Sequence, residues 1–262
     1  MAFLRENILM KFTFLGTGTS QGIPVIGCTC VVCQSNSSYD ARLRSSLLVQ
    51  SSTTTIAIDA GPDFRQQMLR EGVIKLDGIV FTHEHQDHTA GLDDVRAFNF
   101  LNKKPVDLYA NDRVQARLKQ QYAYIFDNAD YPGIPQIRLF DLTTKPFVIG
   151  DIEISPIKAM HGQLPIFGFR IGDFTYITDA NYIDEENQNK IRGSEYLVLN
   201  ALRKESHHSH FSLQEAIKLS QELGVAQTFF THVSHQMGLH KKVVLDLPKG
   251  ISLAYDGLRV EV

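Results

Sequence analysis

The sequence predicts an α/β (α+β) fold in which two sheets are sandwiched between helices. Three observations carry that expectation. The chain has 262 residues, 43% of them hydrophobic, which suits one large domain over residues 1–262 with a full core. Short apolar runs of strand character alternate with segments that carry helix start and stop signals. Histidines and aspartates stand at the ends of several strand-like runs, where rigid structure can aim side chains into a cleft.

In chain order, residues 1–9 read as a short N-terminal extension and Lys11–Leu15 as the first strand, followed by a glycine-rich loop that holds every cysteine. Strands Ser46–Val49 and Thr54–Ile58 lead into Asp59-Ala60-Gly61. A helix over Pro62–Glu71 has proline at its start and Gly72 at its end, the usual asymmetry. Strand Ile79–Phe81 delivers a histidine-rich loop, and Asn111 reads as the N-cap of a helix running through Gln121. Strands cluster between Ile137 and Ile177, and further strands cover Glu195–Leu199 and Thr228–His232. Between these two lies a helix over Ser212–Leu223, closed by Gly224. Neither a repeat nor a low-complexity linker interrupts the pattern.

A formal charge of −3 and a pI near 6.4 give no broad basic surface, which weighs against nucleic acid as the main partner. Charges at Arg5 and Glu6 break the N-terminal apolar run, so it does not read as a signal peptide. No run approaches the roughly 20 apolar residues of a membrane helix. The expectation is a cytoplasmic protein without membrane contact; a homodimer is left open. Gly16-Thr17-Gly18 follows a strand but runs into Pro24 and the cysteines, not into the helix that a dinucleotide fingerprint requires.

The stretch Thr82-His83-Glu84-His85-Gln86-Asp87-His88 packs imidazoles and a carboxylate into a few positions directly after a buried-type strand. Both donor types suit a borderline divalent ion such as zinc. Alternation puts His83 and His85 on one side of an extended turn, and Asp87 and His88 follow where the chain can curl towards a second ion. A second motif, Cys28-Thr29-Cys30-Val31-Val32-Cys33, uses all 3 cysteines. An odd number of thiols in an intracellular chain is poorly explained by disulfides. Three thiolates with one imidazole make a closed structural zinc site, and His235, three residues after His232, is the candidate fourth ligand.

The H-x-H-x-D-H pattern resembles the signature of the metallo-β-lactamase superfamily, and the resemblance covers nearly the whole chain. It implies the four-layer αββα sandwich and further ligands at His161, Asp179 and His232. By that matching, His83, His85 and His161 hold one ion. Asp87, His88 and His232 hold a second, with Asp179 bridging both. Asp59, at the end of its own strand, is expected to orient the histidine loop rather than bind metal. Two divalent ions, zinc or manganese, held roughly 3.5–4 Å apart can share a water and lower its pKa. They outweigh the two aspartates and a hydroxide, so the cluster stays positive and suits an anionic phosphoester. Flavin-linked di-iron relatives carry glutamate where His85 stands; the nitrogen-rich set here favours hydrolysis over redox chemistry.

The cysteine motif, the late His232-x-x-His235, Gly16-Thr17-Gly18, Ile58-Asp59-Ala60-Gly61, Ser234-His235-Gln236 and Tyr255-Asp256-Gly257 together resemble the PhnP group. Those enzymes are phosphodiesterases of the carbon–phosphorus lyase pathway that open 5-phosphoribosyl 1,2-cyclic phosphate. The resemblance implies a small cyclic phosphate or phosphodiester as substrate, with Asp87 and His210 catalytic. His210, through His210-Phe211-Ser212-Leu213, matches the family histidine thought to contact phosphate and assist the leaving group. It also stands just before a helix N-terminus, a favourable place for phosphate. His207 and His208 are expected in solvent, and His240 on the surface. Rival readings are a tRNA 3′-processing nuclease, which would carry a basic arm not found here, and a non-catalytic metal-binding protein of the same fold, which the complete ligand set argues against. A thioester hydrolase is a third, weakened by the cysteine site.

Overall fold

A computed structural model describes residues 9–127 and 133–262; of the expected N-terminal extension, only Leu9 lies within them. Among the described residues, one seven-stranded sheet holds β1 (Lys11–Gly16), β2 (Ser46–Gln50), β3 (Thr55–Ile58), β4 (Gly78–Val80), β5 (Val106–Ala110), β6 (Ile137–Asp141) and β14 (Arg259–Glu261). Its order is β14-β1-β2-β3-β4-β5-β6. The second holds β7 (Phe147–Ile149), β8 (Ile152–His161), β9 (Leu164–Ile171), β10 (Phe174–Ile177), β11 (Tyr196–Asn200), β12 (Gln227–Thr231) and β13 (Ile251–Leu253), in the order β13-β12-β11-β10-β9-β8-β7. In each sheet one half is parallel, β3 to β6 in the first and β10 to β13 in the second.

Side-chain alternation explains the layering. Leu47, Val49, Ile56 and Ile58 point between the sheets, where they meet Ile154, Phe169, Phe174 and Val198 of the other sheet. Leu48 and Ala57 point outward into a core shared with α1 (Phe64–Glu71), α3 (Arg96–Asn102) and α4 (Asp112–Gln121), through Phe64, Met68, Phe98, Val114 and Leu118. Leu197 and Leu199 point to the opposite outer face, covered by α6 (Glu185–Ile191), α7 (Leu213–Leu223) and α8 (His240–Val243). The result is the four-layer αββα sandwich. Shorter helices α2 (Gln86–Thr89) and α5 (Ala123–Phe126) sit in loops of the first half. Among the described residues no helix is long and apolar enough to cross a membrane.

The helix signals act as the sequence predicts at two sites. Asn111 Oδ1 accepts from Val114 N at 3.0 Å, and Ser212 forms a capping box with Glu215, with Gly224 left-handed at the far end of α7. Boundaries shift elsewhere. Pro62 lies outside α1, which starts at Phe64 with Asp63 at the N-cap, because Asp63 is drawn to Arg44 by a bond to its backbone N and an ion pair of 2.9 Å. Strand β8 runs on to His161, held by antiparallel pairing with β9 down to His161 opposite Leu164.

Candidate active site

The cluster forms where the parallel strands end. Asp59 follows β3, the Thr82–His88 loop follows β4, Asp179 follows β10 and His232 follows β12. Three of these residues, Asp59, Asp179 and His232, take positive φ values of 65°, 63° and 55°. Such backbone angles in non-glycine residues occur where the surroundings over-determine them, commonly at functional sites. Close packing fixes the loop against the Asp59-Ala60-Gly61 turn. Ala60 N donates to His88 O, Gly91 N donates to Ala60 O, and a Cβ on Gly61 would stand 2.0 Å from Asp87 O. Only glycine fits there.

The imidazoles converge with one nitrogen each turned inward. His83 Nε2 and His85 Nδ1 are 3.0 Å apart, and His161 joins them with its ring centroid 5.0 Å from that of His85. His161 Nδ1 donates to Ser209 O at 2.7 Å, which leaves Nε2 for the cluster. On the other side, His88 Nε2 lies 3.2 Å from Asp87 Oδ2 and 3.3 Å from Asp179 Oδ2, while His232 Nε2 lies 3.1 Å from Asp179 Oδ1. Asp179 also falls within ligand spacing of His161 and His210, so its carboxylate stands between the two groups. All seven residues expected as ligands are therefore brought together. His83, His88, Asp179 and His232 are buried, and His85 is exposed at the mouth.

Asp59 stands behind the cluster. Its Oδ2 accepts from His88 Nδ1 at 2.7 Å and from Thr82 Oγ1 at 2.8 Å, and its Oδ1 accepts from Thr82 N at 2.8 Å. It directs His88 Nε2 inward, as a carboxylate does for a metal-binding histidine. Thr82 Oγ1 lies 2.9 Å from His83 Nδ1, and Ser45 Oγ lies 3.2 Å from His232 Nδ1. These hydroxyl partners, and Thr19 Oγ1 at 3.3 Å from His232 Nε2, have no sequence signal, since they meet the histidines only through the fold.

Electrostatics fit a divalent cation. Burial pushes His83, His161 and His232 below the ordinary histidine value, His232 to about 4, which favours the neutral, ligating form. His88 goes the other way: burial opposes its charge, but Asp87, Asp179 and Asp59 outweigh it and hold the imidazole well above its usual value. Burial likewise opposes ionisation of Asp87 and Asp179, yet the surrounding histidines hold both carboxyls below the usual range. Burial raises Asp59, against the pull of His88 and Thr82. Meanwhile His88 Nε2 is fully buried and makes no well-formed hydrogen bond. Two carboxylates, Asp87 and Asp179, around the inward His88 Nε2 call for positive charge, and the donor set suits divalent metal.

The cysteine motif forms its own cluster. Cys28, Cys30 and Cys33 sulfurs lie 3.3, 3.4 and 3.5 Å from His235 Nδ1. Cys33 N donates to Cys30 Sγ, the chief reason that this thiol is lowered to about 6; Val25 N donates to Cys33 Sγ, whose thiol burial pushes up to about 11. Four protein donors close on one point, the arrangement of a structural zinc site. His235 opens a single 3₁₀ turn three residues after His232, so this cluster and the first share one segment.

Two histidine expectations are corrected. His208 is exposed, but His207 is half-buried: its Nδ1 lies 3.2 Å from His210 Nδ1, because the tight 207–210 turn folds it back onto its neighbour. His240 is also half-buried, not a surface residue. Its N donates to Asp40 Oδ1, Arg42 Nη2 donates to its Nδ1 at 3.1 Å, and its ring packs 4.9 Å from that of Tyr39. His210 Nε2 reaches Asp179 Oδ1 at 3.1 Å, at the edge of the cluster.

The sequence profile of the beta-lactamase superfamily domain matches residues 54–233. With that match spanning more than half of the chain, on the sandwich and clustered histidines just described, the protein belongs to the β-lactamase superfamily and has the fold of its metal-dependent hydrolases. Within it the resemblance is to the PhnP family: a diphosphatase of that family superposes with a TM-score of 0.91 at 38% identity, covering 97% of each chain. An octanoyltransferase of Porphyromonas gingivalis is 37% identical over 252 residues, which are 95% of this chain and 51% of that protein. The chain spans about half the length of the curated relatives it matches. Human tRNase Z, short form, shares the fold with a TM-score of 0.71 at 16% identity over 95% of this chain and 98% of that one. Cys28, Cys30, Cys33 and His235 fall outside the span of the superfamily match, as do β1, β2, β13 and β14 of the two sheets.

Proposed function

We propose that the protein is a dinuclear metal-dependent phosphodiesterase that hydrolyses a small cyclic phosphate or phosphodiester of the PhnP type. The observation that carries the reading is the position of Asp179 between the His83–His85–His161 group and the Asp87–His88–His232 group, with His210 on the same carboxylate. His83, His85 and His161 would hold one ion, Asp87, His88 and His232 the other, and Asp179 both. Bound there, the ions would supply a water of lowered pKa and Lewis-acid stabilisation of the phosphoryl oxygens. The chain's own residues do the rest. Asp59, Thr82 and Ser45 hold the imidazole orientations; the burial of His83, His88 and His232 keeps bulk water from behind the cluster. His210, with Nε2 turned to the cluster edge, is placed to give its proton to the departing ester oxygen, a role typically worth about 10²–10⁴-fold. Cys28, Cys30, Cys33 and His235 would hold a structural zinc that ties the first loop to the segment bearing His232.

The 38% identity with a PhnP-family diphosphatase over 97% of the chain supports a small phosphorylated substrate over transfer RNA. A second reading, hydrolysis of an acyl ester or thioester, is favoured by the octanoyltransferase name of the 37% identical relative, although this chain matches about half of that protein. One panel separates them. Protein loaded with zinc or manganese is assayed on bis-p-nitrophenyl phosphate, 5-phosphoribosyl 1,2-cyclic phosphate, p-nitrophenyl octanoate and a 3′-extended transfer RNA. The proposal requires turnover of the small phosphodiesters; cleavage of the octanoate or the RNA alone defeats it.

A further inference from the structure

We infer that His207 is a positioning residue for His210, the acceptor that holds the His210 ring with its Nε2 edge turned to the cluster. The inference rests on the phosphodiesterase reading, and concerns a residue to which that reading gives no part. Its warrant is a proton assignment. Ser209 N–H donates to His207 Nδ1 at 3.4 Å, and a backbone amide can only donate. His207 Nδ1 therefore carries a lone pair. His210 Nδ1 lies 3.2 Å from that same atom and 3.1 Å from Ser209 Oγ, so a hydrogen bond between the two facing ring nitrogens has its hydrogen on His210, with the Ser209 hydroxyl beside both. Burial, reinforced by the neighbouring His210 and His208, lowers His207 to about 4, which keeps it an acceptor at neutral pH.

The consequence falls on the other edge of His210. With Nδ1 held by His207 Nδ1 and Ser209 Oγ, Nε2 is aimed at Asp179 Oδ1 at 3.1 Å, in a ring stacked on His232 with centroids 5.1 Å apart. Both nitrogens of His210 then face acceptors. The backbone of the same turn serves the cluster as well, since Ser209 O takes the Nδ1 hydrogen of His161. A single turn, residues 207–210, thus sets the ring orientation of one expected ligand and of the expected proton donor. When the ester P–O bond breaks, the departing oxygen keeps the bonding pair and takes the Nε2 proton of His210. The attacking water releases a proton to solvent as its oxygen joins phosphorus, and solvent returns one to His210 Nε2, so the balance closes without another reactant. His207 touches neither reacting atom; it acts through the ring beside it.

The test uses the metal-loaded full chain and two substrates. A p-nitrophenolate leaving group needs little protonation, whereas a ribose or alkyl alkoxide needs much. His207→Ala should lower kcat on the cyclic ribose phosphate by about tenfold or more while changing bis-p-nitrophenyl phosphate turnover by less than about threefold. His207→Asn, whose side-chain oxygen can accept at the same place, should restore most of the loss. Metal content, measured on both variants, should stay at the wild-type value. Equal losses on the two substrates, or no rescue by asparagine, would overturn the role of His207. Wild-type protein that turns over neither phosphodiester would instead defeat the phosphodiesterase reading itself, a result distinct from either.

Discussion

Replacement of Asp59 by asparagine should weaken metal binding at the His88 side without unfolding the protein. The carboxylate is fully buried and accepts three hydrogen bonds, from His88 Nδ1 at 2.7 Å and from Thr82 N and Oγ1 at 2.8 Å each. Asparagine keeps the size and tolerates the positive φ of 65° at this position. It cannot keep all three acceptor contacts. If the amide oxygen faces Thr82 N, the NH₂ group faces His88 Nδ1–H, donor against donor. Relief requires His88 to move its hydrogen to Nε2, which removes the lone pair meant for the ion. If the amide turns over, the same clash falls on Thr82 N. Loss of a hydrogen bond to a charged group is worth about 1.5–3 kcal/mol. At about 1.4 kcal/mol per tenfold, that is roughly 10- to 150-fold in affinity, in line with the 10- to 100-fold typical of carboxylates behind metal-binding histidines. The assay is competition against a chelator of known affinity, with thermal unfolding of the metal-free protein as the control for folding. An affinity within about twofold of wild type in a folded variant would refute the reasoning.

Other substitutions divide the remaining parts of the account. His210→Ala should reduce turnover of an alkyl or cyclic ribose ester far more than of bis-p-nitrophenyl phosphate; equal losses would leave it at most a phosphate-binding residue. Cys30→Ser should lower Tm and remove one zinc, as seen by elemental analysis, while whatever remains folded keeps its activity; unchanged Tm and zinc content would dispose of the structural site. Asp77 gives a pH prediction. Against the opposing effect of burial, hydrogen bonds from Lys104, Thr55 N and Lys75 hold its carboxyl below the usual value. A lowered folded-state pKa contributes stability above the unfolded value, lost as pH falls through the folded one. Asp77→Asn should therefore reduce stability by less than about 1 kcal/mol at neutral pH and flatten the acid side of the stability curve, with no difference left at the lowest pH.

The legible parts of the fold were those written locally. The Thr82–His88 stretch concentrates its donors in one loop, Asn111 announces its helix through a side-chain cap, Gly224 closes another, and the cysteines stand within one loop. Ser46–Val49 and Thr54–Ile58 read as strands, but their inner and outer faces emerged only in the structure, and the four layers came through the family resemblance. What stayed hidden was decided across the chain. Ser45 and Thr19 reach His232 from far away in sequence, and the left-handed backbone of Asp59, Asp179 and His232 is imposed by packing at strand ends, not by residue preference. His207 misled because a histidine cluster in a loop resembles a solvated one until a turn folds it inward. His240 misled for a different reason: its partners Asp40 and Arg42 come from the opposite end of the chain. The PhnP-type ligand order carries the functional reading further than composition alone could, since charge and length are common to many classes.

The most direct test of the central claim is a metal titration of activity. Protein stripped of its active-site ions is reloaded stepwise with zinc or manganese, and bis-p-nitrophenyl phosphate turnover is followed against bound metal per chain. A dinuclear phosphodiesterase bridged by Asp179 should gain activity until two ions are bound beyond the cysteine site, and Asp179→Ala should remain flat throughout. Turnover that saturates with a single added ion, or that never rises at all, would contradict the account.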